Sequence, residues 1–228
     1  MTDSLSLVTG AGGALGHAIV RALLARGDKV VGVDRHEEAL QSLSGEVHRE
    51  VANLMDPDAV AALFDRVAAD VGTPAAVVHT VGGFRPGAAV DSSPEDYRLM
   101  MQLNVDTAWW VSREAARRMR TAGDGGAIVN IGAQQGVEPS GGAAAYAISK
   151  GALVHLTRVL DVELRPDGIR VNAVLPRVID TAANRAALSD KALARAVTPD
   201  AIAGVIAFLV SPDAAPIVGA VIPVYGAC

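Results

Sequence analysis

Short apolar runs alternate with longer amphipathic stretches along the whole chain. The runs predict strands at 5–9 (LSLVT), 29–34 (KVVGVD), 47–51, 75–80 (AAVVHT), 126–131 (GAIVNI), 169–175 (IRVNAVL) and 219–224 (GAVIPV). The stretches between them carry apolar residues at helical spacing near 14–26, 36–43, 57–71, 94–120, 143–164 and 199–210. Pro57, Pro94 and Pro199 fall where helices should start, each near an Asp, Ser or Thr able to cap. Strands alternating with helices imply a parallel, doubly wound α/β sheet of about seven strands with helices on both faces. Right-handed crossovers then place ligands beyond the carboxyl ends of the strands. The longest irregular piece, 176–198, carries Arg177, Arg185, Lys191 and Arg195 and is expected to act as a mobile lid.

The 228 residues fit one domain, large enough for a sizeable core, and no repeat or interdomain linker interrupts them. No apolar run approaches the roughly 18 residues of a membrane span. The opening segment lacks the basic and apolar regions of a signal peptide. The sole cysteine, Cys228, has no intrachain partner, so nothing calls for an oxidising compartment. A cytoplasmic protein acting on a small molecule is the expectation. Net charge is −5 without a dense Lys/Arg tract, which argues against nucleic acid as the partner. No His/Cys/Asp/Glu cluster has metal-ligand spacing, so no metal is expected.

Candidate chemistry lies at the strand ends. The first strand runs into "TGAGGALG", residues 9–16, and then a helix. Glycines there let the backbone approach a pyrophosphate, whose charge meets the helix N-terminus. Gly10, Gly12 and Gly13 fit this role; position 15 of the usual glycine spacing is Leu15, and Gly16 closes the turn. Asp34 ends the second strand, 18 residues beyond Gly16. An acid there accepts hydrogen bonds from an adenosine ribose and repels a 2′-phosphate, which favours NAD(H). Arg35 follows and could offset that repulsion, leaving NADP(H) possible. Further on, Tyr146 and Lys150 stand four positions apart, on one face of a helix. A lysine near a tyrosine favours the phenolate and lowers the phenol's pKa, making it usable as an acid or base.

Taken in order, these motifs resemble the short-chain dehydrogenase/reductase family over essentially the whole chain. The others that carry the resemblance are "VANL" at 51–54, "VHTVGG" at 78–83, Asn104 in "LNV", "GAIVNIG" at 126–132, "YAISK" at 146–150, "IRVNAVLP" at 169–176 and the terminal "GAVIPVYG". The resemblance implies a single-domain Rossmann fold, a nicotinamide cofactor, and hydride transfer to or from a carbonyl or alcohol. It implies Tyr146 as acid–base group and Lys150 on the nicotinamide ribose, lowering the Tyr146 pKa. It implies Asn104 at a helix irregularity, holding a proton-relay water through its backbone. By position, Asn53 and Leu54 would contact adenine, and Thr80, Val81 and Gly82 the adenosine ribose. Pro176 stands in the loop where the Ile179 backbone would bind the carboxamide and Thr181 the amide or pyrophosphate. A homodimer or homotetramer built on the helices around 94–120 and 143–164 is also implied.

Departures from the family narrow the reading. The serine usual thirteen residues before the tyrosine is Ala133. Losing one such donor typically costs about 2.7–4 kcal/mol of transition-state stabilisation. A neighbour such as Gln134, Gln135 or Ser140 could substitute; the substrate could need no such donor; or the chain could be an impaired dinucleotide-binding sensor or structural subunit. The segment 174–185, with Ala133 and "VGG" at 81–83, is locally similar to the dihydropteridine-reductase branch, which implies a Tyr–Lys mechanism without that serine on a conjugated imine. His79, where the family has Asn, is expected to be a structural residue at a strand end. Phe84, Arg85, Ala133, Gln134, Gln135, Glu138 and the 176–198 lid with Arg177 are expected to shape the substrate pocket; Arg177 would close the site, contact an acidic group, or remain a solvated lid residue. Trp109 and Trp110 are expected in the core or a subunit contact, and His155 in packing against a partner helix.

Overall fold

The computed structural model describes residues 4–226, so Cys228 lies outside the described residues. Its sheet is built from β1 (Leu5–Thr9), β2 (Lys29–Asp34), β3 (Val47–Val51), β4 (Ala76–His79), β5 (Gly126–Ile131), β6 (Ile169–Pro176) and β7 (Val221–Val224). All neighbours pair parallel, in the order β3-β2-β1-β4-β5-β6-β7. The order reverses between β1 and β4. There the following chain departs to opposite faces and leaves a crevice at the carboxyl ends of the strands.

Both faces of the sheet are covered, which is why its strands are apolar runs rather than alternating ones. Leu7, Val77, Ile128 and Val171 point to one side and Val8, Val78, Val129 and Val174 to the other. The first face packs on α3 (Pro57–Asp70), α5 (Thr107–Ala122) and α6 (Ala144–Leu164), with Phe64, Met119 and Leu153 fully buried. The second packs on α1 (Ala14–Arg26) and α9 (Pro199–Leu209) through Ile19, Leu23 and Ile206. The three prolines open their helices as expected. Asp56 caps α3, Ser93 caps α4 (Pro94–Met101), and Thr198 caps α9, each side chain accepting a first-turn amide.

The ends differ from the sequence expectation for identifiable reasons. The helix expected over 94–120 is three pieces, α4, a π-helical turn over Gln102–Asp106, and α5, and it stops at the left-handed Gly123. The helix expected over 36–43 shrinks to α2 (Glu37–Gln41), because Leu43 turns in to bury itself. β4 stops at His79 because the Thr80 amide donates to the Thr9 hydroxyl instead of a ladder carbonyl. β7 starts at Val221, since the Ala220 amide is taken by the Asn172 side chain. The segment 176–198 is not irregular: it holds α7 (Ala182–Ala187) and α8 (Asp190–Leu193), and an isolated bridge pairs Ile179 with Val197 at its base. Of the two tryptophans only Trp110 packs against the core, whereas Trp109 is 45% exposed, as its place on the outer face of α5 dictates. His155 is also exposed. No helix among the described residues is long and apolar enough to cross a membrane.

Phe64 is the largest fully buried side chain. Phe64→Ala is expected to cost about 3–5 kcal/mol of stability, measured as the change in urea midpoint at unchanged slope.

Candidate active site

The glycine turn shapes the crevice mouth. Gly10 has φ +65°, a conformation few other residues adopt. Gly16 sits where a Cβ would come within 2.2 Å of the Gly10 carbonyl oxygen, so α1 can meet the turn this closely only without a side chain. Gly13 caps α1 without any side-chain bond to the first-turn amides, and no acidic residue occupies that turn. The N-terminus of a thirteen-residue helix is thereby left facing the crevice with its amides available to an anion.

A cavity of about 390 Å³ runs from this turn across the switch point. It brings together Gly10, Gly13, Leu15, Gly16, Asp34, Asn53, Leu54, Thr80, Val81 and Gly82, all expected from the sequence. Arg35 lines it as well. Ala14, Ala52, Met55, Leu103 and Thr107 join them unforeseen; the first four adjoin a residue that was read but carry no polar signal of their own. Gly12 does not line the cavity. Its amide donates to Asp34 Oδ2 at 3.2 Å, and a Cβ there would strike the Ala39 side chain at 2.4 Å. Asp34 Oδ1 accepts the His36 amide at 3.2 Å, so the carboxylate is fixed at the cavity edge by two backbone donors.

The other expected residues collect beyond Gly82. Tyr146 and Lys150 lie one turn apart on α6. Lys150 is buried, and its Nζ donates to the Ile131 carbonyl at the end of β5 at 2.8 Å. A Cβ on Gly82 would lie 3.2 Å from that Nζ and 2.6 Å from Asn104 Oδ1, so a side chain at position 82 would crowd both groups. Asn104 sits in the π-helical turn, fully buried. Its Oδ1 accepts the Gly83 amide at 2.9 Å, and its Nδ2 donates to the Gly83 carbonyl and to Ser149 Oγ, both at 3.0 Å. Ser149 in turn donates to the Tyr146 carbonyl at 2.8 Å.

The loop after β4 is stapled to the start of α6 by a bridge between Gly87 and Ala143. That staple brings the Phe84 ring edge-on to Tyr146, with centroids 5.0 Å apart. Ala133 is buried in an extended conformation ahead of a 3₁₀ turn over Gln134–Gly136. Gln134 donates to Glu138 at 2.7 Å. Gln135 donates to Ser140 Oγ at 2.9 Å, and its own Oε1 is buried without a partner. Past Pro176, Ile179 lies in the base bridge, Thr181 caps α7, and Arg177 is exposed with no ion pair among the described residues.

One electrostatic expectation is overturned. Burial pushes the Tyr146 phenol up to about 12, the opposite of the lowering expected from Lys150. The ammonium is held on a backbone carbonyl, and burial pushes it down to about 8. His79 is buried between Thr9 and Thr107, and burial with the nearby Lys150 charge pushes it down to about 3. The fold also brings His48, Glu50 and Asp70 within 4.8 Å of one another, which the sequence spacing hid. Glu50 already accepts from Arg66 at 2.8 and 3.0 Å and pairs with His48 at 3.0 Å, so it is engaged in ion pairs at the edge strand.

Comparison with known proteins decides the family. The family model described as enoyl-(acyl carrier protein) reductase matches residues 10–226. The chain belongs to the short-chain dehydrogenase/reductase family. It is 32% identical to a meso-2,3-butanediol dehydrogenase of Serratia marcescens over 98% of this chain and 94% of that protein. It is 35% identical to a carbonyl reductase [NADPH] 2 of Sus scrofa over 83% and 78% of the two chains. The structure of an NAD+-bound xylitol dehydrogenase superposes with a TM-score of 0.92 at 27% identity, covering 99% of each chain. The protein is thus an oxidoreductase of a family that uses nicotinamide cofactors. Because these relatives name both NAD+ and NADPH, the preference of this chain rests on its own residues.

The buried lysine sets a pH test. Its ammonium loses its proton near pH 8 in the folded chain and near 10.5 when unfolded. Between those values the unfolded chain binds more protons, so this group makes stability rise with pH. In Lys150→Met that rise is absent. The difference in melting temperature, variant minus wild type, should therefore fall steadily from pH 8 to 10.5.

Proposed function

We propose that this protein is an NAD(H)-preferring oxidoreductase acting on a small carbonyl/alcohol or conjugated imine, through Tyr146 and Lys150 and without the usual serine. The observation that carries the reading is the neighbourhood of Gly82, which lines the cavity and whose absent Cβ would lie 3.2 Å from Lys150 Nζ and 2.6 Å from Asn104 Oδ1. The residues present fit a dinucleotide. The uncapped α1 N-terminus suits a pyrophosphate, Asp34 a ribose diol, and Asn53 with Leu54 an adenine edge. Ile179 and Thr181 stand beyond β6 to take the carboxamide end. When bound, the cofactor supplies or accepts hydride.

The chain's own residues then handle the proton. Tyr146 gives it to the substrate oxygen or nitrogen in reduction and takes it back in oxidation. A phenol held near 12 is protonated throughout the neutral range, which suits the reducing direction. Lys150 holds the ribose side of the nicotinamide, and its charge supports the phenolate as it forms. The Asn104 backbone keeps the relay water that resupplies the proton. Phe84 and Gln135 wall the substrate; the unpartnered Gln135 Oε1 can only accept, so it does not stand in for the donor lost at Ala133. The local likeness of 174–185 to the dihydropteridine-reductase branch supports a substrate that needs no such donor. The segment 176–198 forms the substrate lid, with Arg177 on its rim. Trp109, Ile148 and Val162, exposed on α5 and α6, support a homodimer or homotetramer.

The test is a panel: meso-2,3-butanediol and xylitol with NAD+, and simple ketones, quinones and quinonoid dihydropterin with NADH. Turnover should appear on at least one of them and drop about a hundredfold or more in Tyr146→Phe. Tight NADH binding without turnover on any of them would instead favour a dinucleotide-binding subunit, the reading that Ala133 supports. For the cofactor, Asp34→Ala should raise kcat/KM with NADPH relative to NADH by about tenfold, or about 1.4 kcal/mol; an unchanged ratio would remove Asp34 from the preference.

A further inference from the structure

His79 stands one residue before the cavity wall and takes no part in the chemistry above. Its surroundings fix its state. Thr107 Oγ1 donates to the Leu103 carbonyl at 2.8 Å, having spent its one proton there. Toward His79 Nε2, 3.1 Å away, that hydroxyl can only accept, so Nε2 carries the hydrogen. Nδ1 is then the acceptor, and the Thr9 hydroxyl, 2.9 Å away, is its donor. The Thr9 oxygen keeps a lone pair for the Thr80 amide at 3.3 Å. Donors and acceptors along the line are all matched in one direction, from Thr80 through Thr9, His79 and Thr107 to Leu103.

Each end of that line is a part of the site. Thr9 leads into the glycine turn. Leu103 and Thr107 flank Asn104, and Thr107 bonds back one turn inside the π-helical stretch, a contact that bends helices. From Asn104, the chain neighbour of Leu103, a separate pair of hydrogen bonds runs through Ser149 to the backbone of Tyr146. We infer that His79 is a positioning residue: as a neutral Nε2–H imidazole it ties the end of β1 to the π-helical turn and so holds Asn104 and the Tyr146 helix in register with the cofactor cavity. The inference rests on the Tyr146 reading for its catalytic consequence, but not for its geometry.

The two arms can be separated. A glutamine amide nitrogen takes the place of Nε2, so His79→Gln keeps the Thr107 arm. An asparagine amide takes the place of Nδ1, so His79→Asn keeps only the Thr9 arm. Three measurements bear on the inference. Long-range 1H–15N correlation on the wild type, with the His79 signal assigned by its loss in His79→Gln, should show Nε2 protonated and Nδ1 bare at neutral pH. Hydrogen exchange of peptides spanning 102–107 should be unchanged in His79→Gln and about tenfold faster in His79→Asn, the factor one buried hydrogen bond is worth. Turnover of the panel substrate at saturating NADH should follow the same split, with kcat within about threefold of wild type for Gln and down about tenfold for Asn, and KM little moved. An Nδ1–H tautomer, or Gln and Asn variants that behave alike, would overturn the inference. If neither variant folds, the wild-type spectrum decides alone. If Tyr146→Phe remains active the dehydrogenase mechanism falls, while the spectrum and the exchange still judge His79.

Discussion

A single buried carboxamide holds the site in one piece. Asn104 has no contact with solvent, and its side chain joins the loop after β4, the π-helical turn and the helix of Tyr146 and Lys150. These segments are distant in sequence, and each alone would leave polar groups unpaired in the interior. An unpaired buried donor or acceptor costs about 1–3 kcal/mol. Satisfying three of them at one residue therefore makes any arrangement without Asn104 in place expensive. The lysine, the tyrosine and the cavity floor take their relative positions from that one junction.

Burial, rather than attraction between the pair, sets the resting electrostatics. The phenol and the ammonium are both pushed toward their neutral forms, in opposite directions on the pH scale. The ammonium spends its hydrogen bond on a strand-end carbonyl instead of the tyrosine. A site prepared this way is poised: any negative charge that develops near Lys150 during reaction meets a cation poorly solvated by water and correspondingly effective.

Much of this was legible in the chain. All seven strands and the layer arrangement follow from apolar runs, and the glycine turn and Asp34 mark the cavity mouth, while Asn53, Leu54, Thr80, Val81 and Gly82 came from the family resemblance. Pro57, Pro94 and Pro199 marked their helices because proline and its capping neighbour act locally. What escaped depends on long-range placement. The π-helical turn has no signature in the apolar spacing, and only the family resemblance placed Asn104 at a helix irregularity. Ala52, Met55 and Leu103 line the cavity through position alone. The sign of the tyrosine's shift was misjudged because helical spacing shows that two groups share a face, but not how much water the fold removes from each. The partnerships of Gln134 and Gln135 hinge on a 3₁₀ turn with no composition signature.

The bridge between Ile179 and Val197 gives the excursion beyond β6 a fixed base. Because the base is paired backbone, the chain between its ends can change in length at an entropic cost that grows only slowly. The nearby strand end need not move when it does. The excursion between those residues is thus a detachable module in evolutionary terms: it can be lengthened, shortened or recharged while the sheet beneath it stays the same.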